Sequence, residues 1–132
     1  MNVAYQPQVQ TYKRNQFYTA DRGTVLLMLY QGAIDFLKQA KERLEQGDMA
    51  GKGTFISKTH AIISELITSL NHEVGGDFSR NLEDLYRFML EQLMEAHVGN
   101  AAKPLDDVIG LLQGLQEAWQ QAVVKARQEG IL

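Results

Sequence analysis

The chain has 132 residues, of which 45% are apolar and 22% are charged, and it contains no cysteine. This length predicts one domain that can bury a hydrophobic core unaided, and the missing cysteines exclude disulfides, thiolate zinc sites and cysteine nucleophiles. The formal charge of −3 gives no attraction to phosphate backbones or anionic lipid, so we expect no nucleic acid partner.

The apolar residues predict neither a membrane segment nor a secretion signal. The longest apolar run, Val25 to Tyr30, is much shorter than the roughly 20 residues that cross a bilayer. The first residues, Met1 to Tyr5, lack the basic-then-apolar order of a signal peptide. We therefore expect a cytoplasmic protein with no membrane insertion.

Residues 1–23 are predicted to form an N-terminal arm or a short helix. They are rich in glutamine and aromatic side chains, and their apolar residues keep helical spacing for no more than one turn. Beyond them, apolar residues recur every three or four positions in four segments, so each segment carries a continuous apolar face. The predicted helices run from about Thr24 to Gln46, Gly51 to Asn71, Asp77 to Val98 and Pro104 to Gln128.

Short breaks separate the four predicted helices. Gly47-Asp48 ends the first, the pair Gly75-Gly76 suits a positive φ after the second, and Gly99-Asn100 ends the third. Four helices of about 20 residues joined by short turns must run antiparallel to their neighbours. We therefore predict an all-α fold in a single domain, an antiparallel up-down four-helix bundle over residues 24–128 that follows the arm.

The sequence gives no support for enzyme chemistry. Each of the three histidines lacks a glutamate three residues before it, since Ser57, Ser69 and Met94 occupy those positions, so the paired Glu-x-x-His motif of di-iron bundles is missing. Gly75-Gly76 lacks the spacing and the lysine of a phosphate-binding loop. We therefore expect no enzyme activity, no cofactor and no metal.

The first and third predicted helices have more apolar residues than one face can hold. Each carries a second apolar stripe beside its core stripe, and the core stripe of the third helix includes Phe78. We interpret the second stripes as a groove for another chain's amphipathic segment, because a small bundle is not expected to bury both stripes of one helix. The alternative is that a wide core or the arm covers them. The expected partner-binding residues are Tyr12, Leu27, Tyr30, Ile34, Tyr86, Leu90 and Met94.

Several segments resemble a known family. Tyr12-Lys13, Phe17 to Asp21 and Leu26 to Ile34 are similar to the N-terminal signature of the flagellin-specific export chaperones, the FliS family. Further matches follow in the family's order at Ala61 to Leu66, Ser69 to Asn71, Gly75 to Asp77, Asn81-Leu82, Leu85-Tyr86 and Leu105 to Trp119. The resemblance therefore covers nearly the whole chain.

The resemblance implies a cytoplasmic chaperone that binds the disordered C-terminal region of flagellin, prevents its premature polymerisation and delivers it to the gate of the flagellar type III export apparatus. A disordered segment cannot bury its apolar residues alone, so an apolar surface on a rigid bundle is a suitable receptor.

Two other classes of protein remain open at this point. One is a structural or regulatory bundle whose stripes meet a second copy of the chain, and weak homodimerisation is compatible with the chaperone as well. The other is a small-molecule-binding bundle, which needs a polar cluster inside an apolar cavity. The stripes themselves show no such cluster.

Overall fold

The computed structural model describes residues 21–130, and helices make up 89% of this part, which has no strand. The four helices are α1 (Arg22–Glu45), α2 (Met49–Thr68), α3 (His72–Gly99) and α4 (Lys103–Gln128). The predicted all-α fold is therefore confirmed. Arg22 and Gly23 belong to α1, so the bundle begins two residues earlier than predicted. The rest of the predicted arm lies outside the described residues.

Side-chain caps explain where three of the helices begin. Each cap accepts a hydrogen bond from the backbone N–H three residues later: Asp21 from Thr24 at 2.8 Å, Asp48 from Gly51 at 2.9 Å, and Asn71 from Val74 at 3.1 Å. A cap of this kind contributes about 1 kcal/mol to the stability of a helix. Pro104 lies in the first turn of α4, as predicted.

α3 contains a break near its start. Asn71 caps a first turn that begins at His72, five residues before the predicted helix. Gly76 then departs from helical geometry with φ 56° and ψ −131°, and the continuous helix follows from Asp77. The predicted positive φ of the glycine pair is therefore confirmed at Gly76, where a side chain would be strained.

The helices form a ring in which α1 packs against α2, α2 against α3, α3 against α4, and α4 against α1. Arg127 near the end of α4 pairs with Asp21 at the start of α1, with Nη2 3.0 Å from Oδ2. At the other end, Lys41 of α1 pairs with Asp106 of α4 at 2.9 Å. These pairs confirm the antiparallel order. We call the two ends of the bundle the Asp21 end and the Lys52 end, because Asp21 caps the start of α1 and Lys52 lies in the first turn of α2.

The hydrophobic core runs along the axis of the ring. All four helices contribute fully buried side chains to it, among them Leu37, Ile63, Met89 and Leu112. Within residues 21–130, none of the helices combines the length and the hydropathy that a membrane crossing requires.

Candidate binding surfaces

The second apolar stripe of α1 lies largely inside the bundle. Tyr30 and Ile34 are fully buried, and Leu27 is partly buried. α1 packs against both α2 and α4, so its neighbours cover the arc that the two stripes occupy. The expectation that the bundle leaves this stripe open is therefore wrong for Tyr30 and Ile34.

The second stripe of α3 changes from buried to exposed along the helix. Tyr86 is buried, Leu90 is partly buried, and Met94 is 57% exposed. The expected exposure is therefore wrong for Tyr86, which faces the interior, and holds for Met94. Tyr12, the remaining predicted partner-binding residue, lies outside the described residues.

Met94 lies at the centre of an open apolar surface near the Lys52 end. It lines a groove of about 110 Å³ between α2 and α3, together with Ile56 and His60. It also lines a broader concavity of about 480 Å³ that continues over Val98, which is 74% exposed, to Pro104. We call these five residues the Met94 surface. Met94 and Val98 are its exposed apolar residues, and neighbouring exposed apolar residues on a folded protein are typical of partner-binding sites.

A buried lysine joins the start of α2 to the end of α3 beside this surface. Lys52 Nζ, from the start of α2, donates to the backbone oxygen of His97 at 2.9 Å and to the side-chain oxygen of Asn100. The last carbonyls of a helix carry partial negative charge, so a lysine amine there is favourable. The sequence pattern did not reveal this role, since Lys52 stands alone in a Gly-Lys-Gly stretch at the helix start.

A second apolar site lies at the Asp21 end. We call it the Trp119 pocket. It has a volume of about 280 Å³, and its apolar wall contains Leu26, Leu70, Val74, Phe78 and Trp119. The Phe78 and Trp119 rings pack edge to face, with centroids 6.1 Å apart. Phe78 is 62% exposed at the mouth, so its predicted place in the core is wrong.

Three aromatic polar groups meet beside this pocket. The Tyr30 and Tyr86 hydroxyls are hydrogen-bonded to each other, and Trp119 Nε1 donates to the Tyr30 hydroxyl at 3.1 Å. Burial raises the pKa of both tyrosines above the ordinary value, so both stay neutral near pH 7. The apolar stripes therefore do contain a polar cluster, which the sequence analysis missed because it joins residues 56 positions apart.

The charged groups form surface pairs rather than a reactive site. Glu83 accepts from Arg87 at 2.7 Å and pairs with His72 at 2.6 Å, and these two partners lower the pKa of its carboxyl. Between residues 21 and 130, no three histidine or acidic side chains come together as metal ligands.

The fold and its exposed apolar residues define a helical bundle with candidate surfaces for another polypeptide. The chain matches the family described as "Flagellar protein FliS" over residues 4–126. It therefore belongs to the FliS family, which confirms the resemblance, and it is a flagellar export chaperone rather than an enzyme.

Named relatives extend this result. The chain is 41% identical over 100 residues to the flagellar secretion chaperone FliS of Salmonella typhimurium. This match covers 75% of this chain and 74% of the Salmonella protein. Identity to the Vibrio cholerae protein of the same name is 37% over 117 residues, 86% of each chain. For the Bacillus subtilis protein it is 31% over 127 residues, 96% of this chain and 94% of that one.

A solved structure has the same fold. The crystal structure of a flagellar chaperone from bacteria superposes on this chain with a TM-score of 0.75 at 21% identity. The match covers 90% of this chain and 99% of the other. The helical bundle is therefore found in a second flagellar chaperone of different sequence.

Proposed function

We propose that this chaperone binds the disordered C-terminal segment of flagellin in the bacterial cytosol, prevents it from polymerising and presents it to the gate of the type III export apparatus. The Met94 surface carries the proposal. Met94 and Val98 are more than half exposed although the core beneath them is closed. A bundle that is already packed can keep such a surface free for a partner.

The chemistry of the surface suits a flexible apolar partner. Methionine adapts to irregular partners because its side chain is unbranched and polarisable. A disordered segment loses conformational entropy when it binds, and burial of its apolar residues must offset that loss. Among the predicted partner-binding residues, Leu90 and Met94 would contact the cargo on α3, Leu27 would make a separate contact at the Asp21 end of α1, and Tyr30, Ile34 and Tyr86 would hold the helices together from the interior.

Calorimetric titration with a synthetic peptide of the flagellin C-terminal segment tests this proposal. We expect the wild-type chain to bind, and Met94→Asp to bind roughly tenfold to hundredfold more weakly, since a buried Met side chain contributes about 1.5 to 3 kcal/mol. Val124→Asp is the matched control, because Val124 is an exposed apolar residue on the outer face of α4. Equal loss in both variants would move the cargo site elsewhere, and no binding by the wild type would overturn the proposal.

The alternative of a homodimerising bundle uses the same surface. In that case Met94 and Val98 meet a second copy of the chain. Sedimentation at micromolar concentration distinguishes the two functions. A monomer, or a dimer that the peptide dissociates, supports the chaperone, whereas a dimer that persists with the peptide present supports self-association.

A further inference from the structure

The Trp119 pocket contains a buried hydroxyl that has no hydrogen-bond partner among residues 21–130. Ser79 is only 4% exposed and lines the pocket, and its Oγ makes no hydrogen bond to any of these residues. A buried polar group without a partner destabilises a fold, so this hydroxyl stands out from the other helical hydroxyls. Thr54, Thr59 and Thr68 all donate to the carbonyl four residues earlier, at 2.9 to 3.1 Å.

The break at Gly76 explains the difference. The carbonyl four residues before Ser79 belongs to Gly75, directly before the non-helical Gly76. The break disturbs the regular position that a carbonyl needs to accept from a serine in the next turn. The Ser79 hydroxyl is thus left without this acceptor in the wall of the pocket.

The tyrosine pair beside the pocket offers a second donor. Tyr30 and Tyr86 have two hydroxyl protons but share one hydrogen bond, and the Tyr30 oxygen already accepts from Trp119. Within the described part of the chain, one hydroxyl proton of the pair is therefore left without an acceptor. The free proton is on Tyr86, which lines the pocket, if Tyr30 donates the shared bond, and on Tyr30 if Tyr86 donates it.

The size and charge of the pocket restrict its occupant. Its volume of about 280 Å³ lies at the lower end of the roughly 300 to 1,000 Å³ of typical small-molecule sites, and is enough for one or two side chains. Among residues 21–130, the side chains that line it are all uncharged, so an acidic or basic anchor would have no counter-charge from this part of the chain. The mouth is apolar and open, with Val74 85% exposed.

We propose that the Trp119 pocket receives an uncharged anchor of the polypeptide cargo: an apolar side chain with a neighbouring amide or hydroxyl group that hydrogen-bonds to Ser79. This inference rests on the proposed function, since the cargo is the exported polypeptide. It adds a second, hydrogen-bonded subsite at the Asp21 end to the apolar contact at the Met94 surface.

The single tryptophan of the chain makes the pocket directly observable. We would titrate the full chain with a tryptophan-free peptide of the flagellin C-terminal segment and follow Trp119 emission beside calorimetry. The emission should change with the affinity that calorimetry measures. Ser79→Ala should bind roughly twofold to tenfold more weakly, the loss expected for one hydrogen bond, yet unfold at a higher urea concentration because an unpaired buried group is gone.

Ser69→Ala is the matched control. Ser69 also lines the pocket, but its hydroxyl already donates to the Leu66 carbonyl at 2.9 Å, so the affinity should stay unchanged. Val74→Asp tests the pocket without a core substitution and should weaken binding at least about tenfold, because it puts a charge at an uncharged mouth. Val124→Asp on the outer face of α4 should not.

The outcomes separate this inference from the proposed function. Binding by calorimetry with unchanged Trp119 emission, or with Ser79→Ala and Val74→Asp as tight as wild type, would overturn the pocket and leave the chaperone function intact. A peptide that does not bind the wild type at all would overturn both.

Discussion

The seam between α1 and α4 and the outer ends of α3 are both rich in apolar side chains, yet only the ends of α3 are open to a partner. At the seam, Tyr30 and Ile34 are covered from both sides by neighbouring helices. α3 is interrupted at Gly76, so its continuous part from Asp77 to Gly99 is only slightly longer than α2, and the start of α2 reaches the end of α3 through Lys52. Met94 and Val98 therefore stay open because they lie on the outward side of α3, not because the helix extends past its neighbour.

This difference shows how one bundle obtains both stability and a binding surface. Val74 and Phe78 near the start of α3, and Met94 and Val98 near its end, are all more than half exposed. The closed seam keeps the helices together while these ends stay free. The comparison leads to four tests, from the largest expected effect to the smallest.

Truncation of a side chain at the closed part of α1 should cost far more stability than truncation on α3's outer end. Leu37→Ala removes a fully buried side chain and should lower the free energy of unfolding by about 2 to 5 kcal/mol. Met94→Ala should change it by less than about 0.5 kcal/mol, since its side chain is mostly exposed. Urea denaturation of both variants measures the difference, and equal losses would contradict the comparison.

Charged substitutions at Leu27 and Leu90, the two partly buried residues of the second stripes, test which of them belongs to the core and which to a binding surface. Leu90 packs against the hydrophobic core, so Leu90→Asp should lower stability by about 1 to 3 kcal/mol as well as weaken binding of the flagellin peptide. Among residues 21–130, Leu27 does not pack against that core, so Leu27→Asp should melt near the wild-type temperature and lose affinity roughly tenfold to hundredfold.

Melting temperature and calorimetric affinity on the same samples decide this prediction. Unfolding of Leu27→Asp would place Leu27 in the core. Normal melting with normal binding would place the cargo site away from the first turns of α1.

The sequence predicted where the helices lie, but it did not predict whether their second apolar stripes are buried or exposed. Apolar spacing and helix breaks such as Gly47-Asp48 are local, and both predicted the elements well. Burial of Ile34 depends on how many neighbours α1 has, which no local pattern contains. The exposure of Phe78 also depends on tertiary structure, because Phe78 lies just after the break at Gly76.

The candidate binding residues were likewise only partly predictable from the sequence. Met94 was predicted from its place on a stripe, and the structure leaves it exposed. The Trp119 pocket could not be predicted, since it joins Leu26, Ser79 and Trp119 from three helices. A lone serine on a helix gives no signal of an unpaired hydroxyl until the backbone before it is known.

The hydroxyl pair between α1 and α3 allows a test across the two regions. Tyr30→Phe leaves both the Tyr86 hydroxyl and Trp119 Nε1 without their partner, and should lower the free energy of unfolding by about 1 to 3 kcal/mol. Tyr86→Phe leaves the bond from Trp119 to Tyr30 intact and should cost about 0.5 to 1.5 kcal/mol. Denaturation curves in which Tyr86→Phe is the more damaging variant would show that Tyr30 is not the centre of the cluster.

The smallest expected effect concerns the ion pair of Asp21 and Arg127, which joins α1 to α4 at the Asp21 end. The hydrogen bond from the Thr24 backbone N–H and the pairing with Arg127 lower the pKa of Asp21 below its ordinary value of 3.8. Because the folded pKa is the lower one, the carboxylate contributes its stabilisation above about pH 4, and that stabilisation is lost as the pH falls through the folded pKa. Asparagine also caps helices, so Asp21→Asn keeps the cap and removes only the charge. We expect the urea midpoint of wild type to exceed that of Asp21→Asn slightly at about pH 6 and the two to converge at about pH 3. A difference that stays constant over this range would show that the pair with Arg127 contributes nothing to the seam.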